Sequence, residues 1–238
     1  MQFPVFTTGG KGSMVKGSPS LKHKQAPLFL EQFRALRAKL DDYFEKEGGR
    51  ALAITSAIAE EGKSVTCLHL AMNIGSTRQK KVLLLDTDMR KSSIALRMNL
   101  EPAPGLSEFL SGKAKVKEIL RNSQVPGLHV IPAGSESHST ADMLSGEQFR
   151  SFLKSVRETF DVIILDTPPV LPVADALSLR DQVDRFLLVF RAGFTPYPML
   201  RQVIEEIGEP KILGVVLNRV KPMTDKYYNK YYGKYYRK

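Results

Sequence analysis

Residues 51–66 read ALAITSAIAEEGKSVT. An apolar run over 51–56 gives way to small and acidic residues, then to Gly62-Lys63-Ser64 and a helical pattern over about 63–77. A loop between a strand and a helix N-terminus turns main-chain N–H groups inward, and the helix dipole adds positive potential, so the unit suits a phosphate. From Ala57 to Ser64 the spacing is that of G-x-x-x-x-G-K-[ST], with Ala57 replacing the first glycine. Here Gly62 lets the backbone approach a ligand, Lys63 reaches the β- and γ-phosphates, and Ser64 offers its hydroxyl to Mg²⁺. The nucleotide-holding stretch is Ala59, Glu60, Glu61, Gly62, Lys63, Ser64 and Val65.

Working outward, five more apolar runs recur: VLLLD (82–86), LHVIP (128–132), VIILD (162–166), FLLVF (186–190) and ILGVVLN (212–218). Most are continuous rather than alternating, as expected of strands covered on both faces. Helix-like stretches over 63–77, 147–158 and 196–207 lie between them. Strands alternating with helices predict an α/β fold with a mostly parallel sheet flanked by helices. Ligands of such sheets bind beyond the carboxyl ends of the strands.

Two further strand ends carry acids. VLLLDTDMRKSS places Asp86 and Asp88 two residues apart after a buried run, a pattern suited to coordinating a metal or taking a proton from a hydroxyl. FDVIILDTPP ends its β-branched run in Asp166, where a carboxylate holds Mg²⁺ directly or through water. Each acid alone reads equally well as a solvated turn. The three features in this order within one α/β domain predict binding of ATP with Mg²⁺.

The chain has 238 residues, 42 % of them apolar, and fits one large domain with appendages. Its single cysteine, Cys67, excludes an internal disulfide framework. The start, MQFPVFTTGGKGSMVKGSPSLKHKQAP, lacks the apolar core of a secretory signal, and no apolar run is long enough to span a bilayer. The net charge of +10 suggests an anionic partner. The excess gathers at the ends: Lys11, Lys16, Lys22 and Lys24 near the start, and a basic final segment whose single acid is Asp225. Three segments are expected: a flexible arm over 1–27, a nucleotide-binding domain over 28–220, and a flexible tail over 221–238. Within the domain, Phe29, Phe33, Leu36 and Leu40 share one helical face, and Gly48-Gly49 ends that helix. The tail contains KYYNKYYGKYYRK, which gathers six of the eight tyrosines: Tyr227, Tyr228, Tyr231, Tyr232, Tyr235 and Tyr236.

With these residues assembled, the chain resembles the bacterial tyrosine autokinases (BY-kinases), a deviant-Walker branch of the P-loop NTPases. It is most similar to their stand-alone cytoplasmic type, which regulates exopolysaccharide or capsule synthesis. SAIAEEGKS resembles the family's Walker A motif, VLLLDTDMRK its Walker A′ and VIILDTPP its Walker B. EQFRALR, with Glu31, Arg34 and Arg37, resembles the E-x-x-R-x-x-R helix that assembles rings, and the tyrosine tail resembles the family's phosphoacceptor cluster. The chain departs from the family at Ala59-Glu60, where Pro-Gly is usual, at Ser92 in place of a proline, and at SESHSTADM after VIPAG.

The resemblance implies an ATP-dependent protein-tyrosine kinase that phosphorylates its own tail in trans within a homo-oligomeric ring. Lys63, Asp86 and Asp88 are then catalytic, and Ser64, Asp88 and Asp166 organise Mg²⁺. Asn218 contacts the adenine, and Glu31, Arg34 and Arg37 lie at the subunit contact. It further implies a transmembrane polysaccharide co-polymerase as activator, a place at the inner face of the cell membrane, and other proteins as tyrosine substrates. Two competing readings are a MinD/ParA-like ATPase switch, whose usual early Walker A lysine is missing here, and a nucleic-acid binder using interleaved lysines and aromatics. A third is a degenerate pseudo-kinase, motivated by Ala57 and Glu60.

Overall fold

A computed structural model describes residues 5–8, 27–137 and 139–220. In chain order its first elements are β1 (Val5–Thr8), α1 (Pro27–Lys46), β2 (Ala51–Ser56), α2 (Lys63–Gly75) and β3 (Val82–Asp86). The short helices α3 (Ile94–Met98), α4 (Leu106–Leu110) and α5 (Val116–Ile119) lead to β4 (Arg121–Asn122) and β5 (Leu128–Ile131). Then follow α6 (Thr140–Ser145), α7 (Glu147–Thr159), β6 (Val162–Asp166), β7 (Arg185–Arg191), α8 (Tyr197–Ile207) and β8 (Ile212–Asn218). The strands form one sheet in the order β1-β8-β7-β2-β6-β3-β5-β4, parallel throughout except for the β4–β5 pair.

The continuous apolar runs divide between two cores because successive strand residues face opposite sides of a sheet. Leu52, Ile54, Val82, Leu84, Val162 and Ile164 face α1 and α2, together with Phe33, Leu36, Leu40, Leu70 and Ile74. Ala51, Ala53, Leu83, Leu85, Ile163 and Leu165 face the other layer, which contains Phe149, Phe152 and Leu153 of α7 and Val203 and Ile207 of α8. Burial on both faces is why these strands read as unbroken hydrophobic stretches.

One expectation needs correction. Residues 5–8, placed in a flexible arm by their polar and glycine-rich surroundings, form the edge strand β1, with Val5 opposite Val215 and Thr8 opposite Asn218. The rest of the arm up to residue 26, and the tail 221–238 with its six tyrosines, lie outside the described residues. No helix among the described residues is long and apolar enough to cross a membrane.

The strand order places β2 between β6 and β7, with β3 beyond one and β8 beyond the other. The chain thus leaves β2 where the connections diverge to either side, and such a crevice at the carboxyl ends of strands is where α/β sheets bind ligands.

Candidate active site

The loop from β2 to α2 is shaped at two residues. Gly62 caps α2 at φ +99°, and a Cβ there would lie 2.0 Å from Asn218 Nδ2, so both conformation and space demand glycine. Glu60 sits at φ +67° with its side chain exposed. Here glycine would be relaxed and a side chain is strained, which fits the glycine of the Pro-Gly usual at Ala59-Glu60 in the resembled family. Ala57, which replaces the first glycine of the G-x-x-x-x-G-K-[ST] pattern, is buried and has no positive φ, so its methyl group adds no backbone strain.

The ends of β2, β6 and β3 are stitched together by two threonines. Thr87 donates both its N–H (2.8 Å) and its hydroxyl (2.7 Å) to the Asp166 carbonyl, and Thr167 does the same to Ile54 at 3.2 and 3.1 Å. This register sets Asp86 directly beside Asp166 across the β3–β6 pair.

Lys63 Nζ bridges to Asp88 Oδ2 at 3.0 Å, and both side chains are largely buried. Burial works to lower the Lys63 pKa, but the Asp166 and Asp88 carboxylates overcome it and hold the ammonium above its ordinary value. The other Asp88 oxygen accepts from Lys91 N at 2.9 Å.

Asp86 is fully enclosed and accepts from Asp88 N (3.1 Å), Ser92 Oγ (3.0 Å) and Ile94 N (3.3 Å). Burial, then the charge of Asp166, pushes its carboxyl up to about 8. Ser92, one of the departures from the family pattern, therefore supplies a donor to a buried acid. Burial also raises Asp166, opposed by the Lys63 charge and the Ser64 hydroxyl.

One Asp166 oxygen, Oδ1, accepts a long contact from the Cys67 thiol (3.5 Å), whereas Oδ2 is buried with no protein donor. A buried carboxylate oxygen lacking a donor, beside a serine hydroxyl, fits a divalent cation or its water. Among the described residues no three carboxylate, imidazole or thiol groups gather closely enough to hold a metal unaided. A cation here thus draws its remaining ligands from phosphate and water, as Mg²⁺ commonly does.

The other candidate residues sit as follows. Ala59 is exposed, and Ser64 and Val65 are half-buried at the start of α2. The Glu61 side chain turns into the protein, leaving only its main chain to the loop surface. Asn218 ends β8 with its amide committed to the Glu61 carbonyl at 2.8 Å, so its side chain props the loop.

On α1, Glu31 and Arg34 pair on the exposed face at 2.9 Å. Arg37 instead leans inward, 3.4 Å from the Asn73 carbonyl of α2 and 3.6 Å from Asp41. The six tail tyrosines lie outside the described residues.

Sequence reasoning did not single out the fork between Arg90, just past Asp88, and buried Asp175, at 2.6 and 3.2 Å. The basic residue after D-T-D-M was its only trace, since the partner lies 85 positions away. Two recesses of about 200 and 420 Å³ open at the opposite edge of the sheet, around Gly48 and Gly49. Charges in the larger one satisfy each other, Arg157 with Asp184 and Arg185 with Glu47. The chemistry therefore gathers at the carboxyl edge.

A family model described as an AAA domain matches residues 50–208. The tyrosine-protein kinase CpsD of Streptococcus agalactiae is 33 % identical over 209 residues, which cover 87 % of this chain and 89 % of CpsD. The succinoglycan biosynthesis transport protein ExoP of Rhizobium meliloti is 30 % identical over 80 % of this chain. The chain spans a third or less of several longer relatives, ExoP among them. Among solved structures, the kinase domain of the Escherichia coli tyrosine kinase ETK superposes with a TM-score of 0.84 at 25 % identity, covering 94 % of this chain and 92 % of that domain. The sheet, the loop and the acids belong to a P-loop nucleotide-binding fold.

Proposed function

The chain belongs to the bacterial tyrosine-protein kinase family, and on that premise we propose that it transfers the γ-phosphate of ATP to tyrosines of its own C-terminal segment, Tyr227 to Tyr236. The observation that carries this reading is the cluster at the carboxyl edge. Lys63 is bound to Asp88 under the loop, next to an Asp166 oxygen that lacks a donor.

The loop main chain from Ala59 to Val65 and the Lys63 ammonium receive the phosphates. On their arrival Lys63 exchanges Asp88 for phosphate oxygens, which releases the Asp88 carboxylate. Ser64 and Asp166 hold Mg²⁺, which when bound neutralises charge on the transferring phosphoryl group. A phenol with an ordinary pKa of about 10 needs help to react at neutral pH. Released Asp88 is the better placed proton acceptor, because Asp86 is enclosed and already accepts three donors. Asp86 instead fixes the A′ turn through Asp88 N and Ile94 N. The phenol oxygen attacks the γ-phosphorus, its proton passes to the carboxylate, and ADP leaves with the bridging oxygen. In-line geometry and charge neutralisation are most of what the protein must supply.

The proposal extends to a second copy as the source of the tail. Residues 221–238 reach at most about 60 Å when fully extended, enough to cross to a neighbouring subunit. Each phosphate adds about −1.5 to −2 charges, so a fully phosphorylated tail reverses its sign and repels its neighbours. Exposed Glu31 and Arg34 support a role at the subunit contact, while Arg37 serves to dock α1 on α2. The resemblance, and the similarity to the succinoglycan biosynthesis transport protein ExoP, support action on polysaccharide synthesis, with a membrane-embedded activator holding the kinase at the inner membrane face. Other proteins phosphorylated on tyrosine fit the same chemistry.

The test is incubation with Mg-ATP, with and without Lys63→Ala, followed by mass mapping of the C-terminal peptide. Lys63-dependent phosphate on Tyr227 to Tyr236 is expected. Nucleotide binding without phosphate, even with a membrane activator supplied, would refute the kinase reading in favour of an ATPase switch.

A further inference from the structure

Glu61 is a carboxylate in the middle of a phosphate-binding loop, yet its side chain is fully buried. Its Oε2 accepts the Ile58 N–H at 2.8 Å, and its Oε1 accepts the Thr195 hydroxyl and, at 3.4 Å, the Arg191 N–H. All three donors are neutral groups, two main-chain amides and a hydroxyl, and a buried polar group costs stability unless it is hydrogen-bonded in this way. What a carboxylate offers in return is two acceptor oxygens in one plane, which no amide can match.

The main chain of Ile58 is held at both its polar groups. Glu61 takes its N–H, and Ser56 Oγ donates to its C=O at 2.7 Å. The Glu61 carbonyl in turn accepts Asn218 Nδ2 at 2.8 Å. Through one glutamate, the loop is fastened to its own start, to the turn after β7 and to the end of β8. That turn is itself compact: Phe194 N and Thr195 N both reach the Arg191 carbonyl at 3.2 Å, and the Arg191 guanidinium stacks 4.4 Å from the Phe194 ring centre.

We propose that Glu61 is a positioning residue for the nucleotide phosphates. It presets the curvature of the loop and couples it to the Arg191–Thr195 turn, so that phosphate meets N–H groups already in place. This deepens the nucleotide-binding part of the reading above and rests on it. A flexible loop would have to lose conformational freedom on binding, and a preset loop has already lost it.

The comparison is between wild type, Glu61→Gln, Thr195→Val, Thr195→Ser and the Glu61→Gln/Thr195→Val pair. The readouts are Mg-ATP dissociation constants by calorimetry, kcat and KM for tail phosphorylation, and thermal midpoints. Glutamine sets an NH₂ group against one of the donors, either Ile58 N–H or the Thr195–Arg191 pair. The expected result is Mg-ATP binding weakened about 10- to 100-fold in a protein that remains folded at the assay temperature. Thr195→Val should show a smaller loss, and Thr195→Ser, which keeps the hydroxyl, should behave as wild type. The double variant should be no worse than Glu61→Gln, because both act through one tie.

Wild-type affinity in Glu61→Gln, or losses that simply add in the double variant, would overturn the proposal. If Glu61→Gln does not fold, Thr195→Val against Thr195→Ser decides in the same way. A wild type that binds Mg-ATP but transfers no phosphate would sink the kinase reading while leaving the Glu61 comparison readable in dissociation constants.

Discussion

Replacing Glu60 separates two penalties that the structure locates at one residue. Its φ of +67° places a side-chain-bearing residue in the left-handed region, a conformation that costs about 1–2 kcal/mol for residues other than glycine. Glu60→Gly removes that strain but adds unfolded-state freedom worth about 0.4–1 kcal/mol, so the net gain is about 0.5 kcal/mol. For a domain of this size that amounts to a rise in thermal midpoint of about 1–2 °C. Glu60→Ala removes the charge and keeps the strain, so its midpoint should stay within about 1 °C of wild type.

Both substitutions take an exposed negative charge away from a triphosphate. Across well-solvated distances this is worth about 0.5–1 kcal/mol, or roughly a two- to fivefold tighter Mg-ATP dissociation constant at low salt. The gain should fade by about 0.5 M salt, where the Debye length falls below about 5 Å. Differential scanning calorimetry and titration calorimetry at two salt concentrations give all the numbers required. A midpoint raised equally by alanine and glycine would refute the backbone argument, and an affinity gain that persists in high salt would refute the electrostatic one.

His69 packs among Phe29, Phe33 and Arg97 in the α1–α2 seam, and burial followed by the Arg97 charge lowers its pKa to about 4. Below its unfolded value of about 6.5 the unfolded chain binds the extra proton, so this stability is complete above that pH and is lost progressively as pH falls from there towards the folded value of about 4. The loss is on the order of 2–3 kcal/mol, and His69→Phe should abolish it, seen as a smaller difference between urea midpoints at pH 7 and pH 4.5. Arg90→Ala leaves buried Asp175 without its fork, and because the guanidinium is partly exposed a cost near the lower end, about 3 kcal/mol, is expected. Asp175→Asn combined with Arg90→Ala should recover part of that stability, measurable by chemical denaturation.

The parts of the fold that were legible in the sequence share one cause. Strands buried on both faces must be continuously apolar, so the runs beginning at Ala51, Val82, Leu128, Val162, Phe186 and Ile212 stand out and fall within a residue of the observed strands. Strand β1 was illegible because four residues at a sheet edge need little hydrophobicity. Their assignment comes from a partner 210 residues away. Helices α3, α4 and α5 are too short to establish a period.

Within the site, the order and spacing of Lys63, Ser64, Asp86, Asp88 and Asp166 were legible because a loop and two strand ends fix them locally. The direction of a side chain was not. Nothing in A-E-E-G-K says that the first glutamate faces water and the second the interior, because the left-handed conformation of Glu60 itself decides it. Arg37 shows the same limit. Six positions from Glu31, it lies about 240° around the helix, between Arg34 and the stripe formed by Phe33 and Leu40, and only its contacts with Asn73 and Asp41 show that it turns inward.

The pairing of β1 with β8 bears on how the protein is made. Residues 5–8 leave the ribosome well before the strand they pair with, 215–218, which follows 210 residues later. At about 5–20 residues per second that is roughly 10–40 s of synthesis. Until then β1 has no neighbour in the sheet and β7 presents an unpaired edge. Asn218 completes both tasks at once, facing Thr8 across the last rung and propping the Glu61 carbonyl beneath the phosphate loop. A nascent chain can therefore assemble Lys63, Asp88 and Asp166 while the loop above them still lacks its final support, so that competence for nucleotide waits on the synthesis of β8.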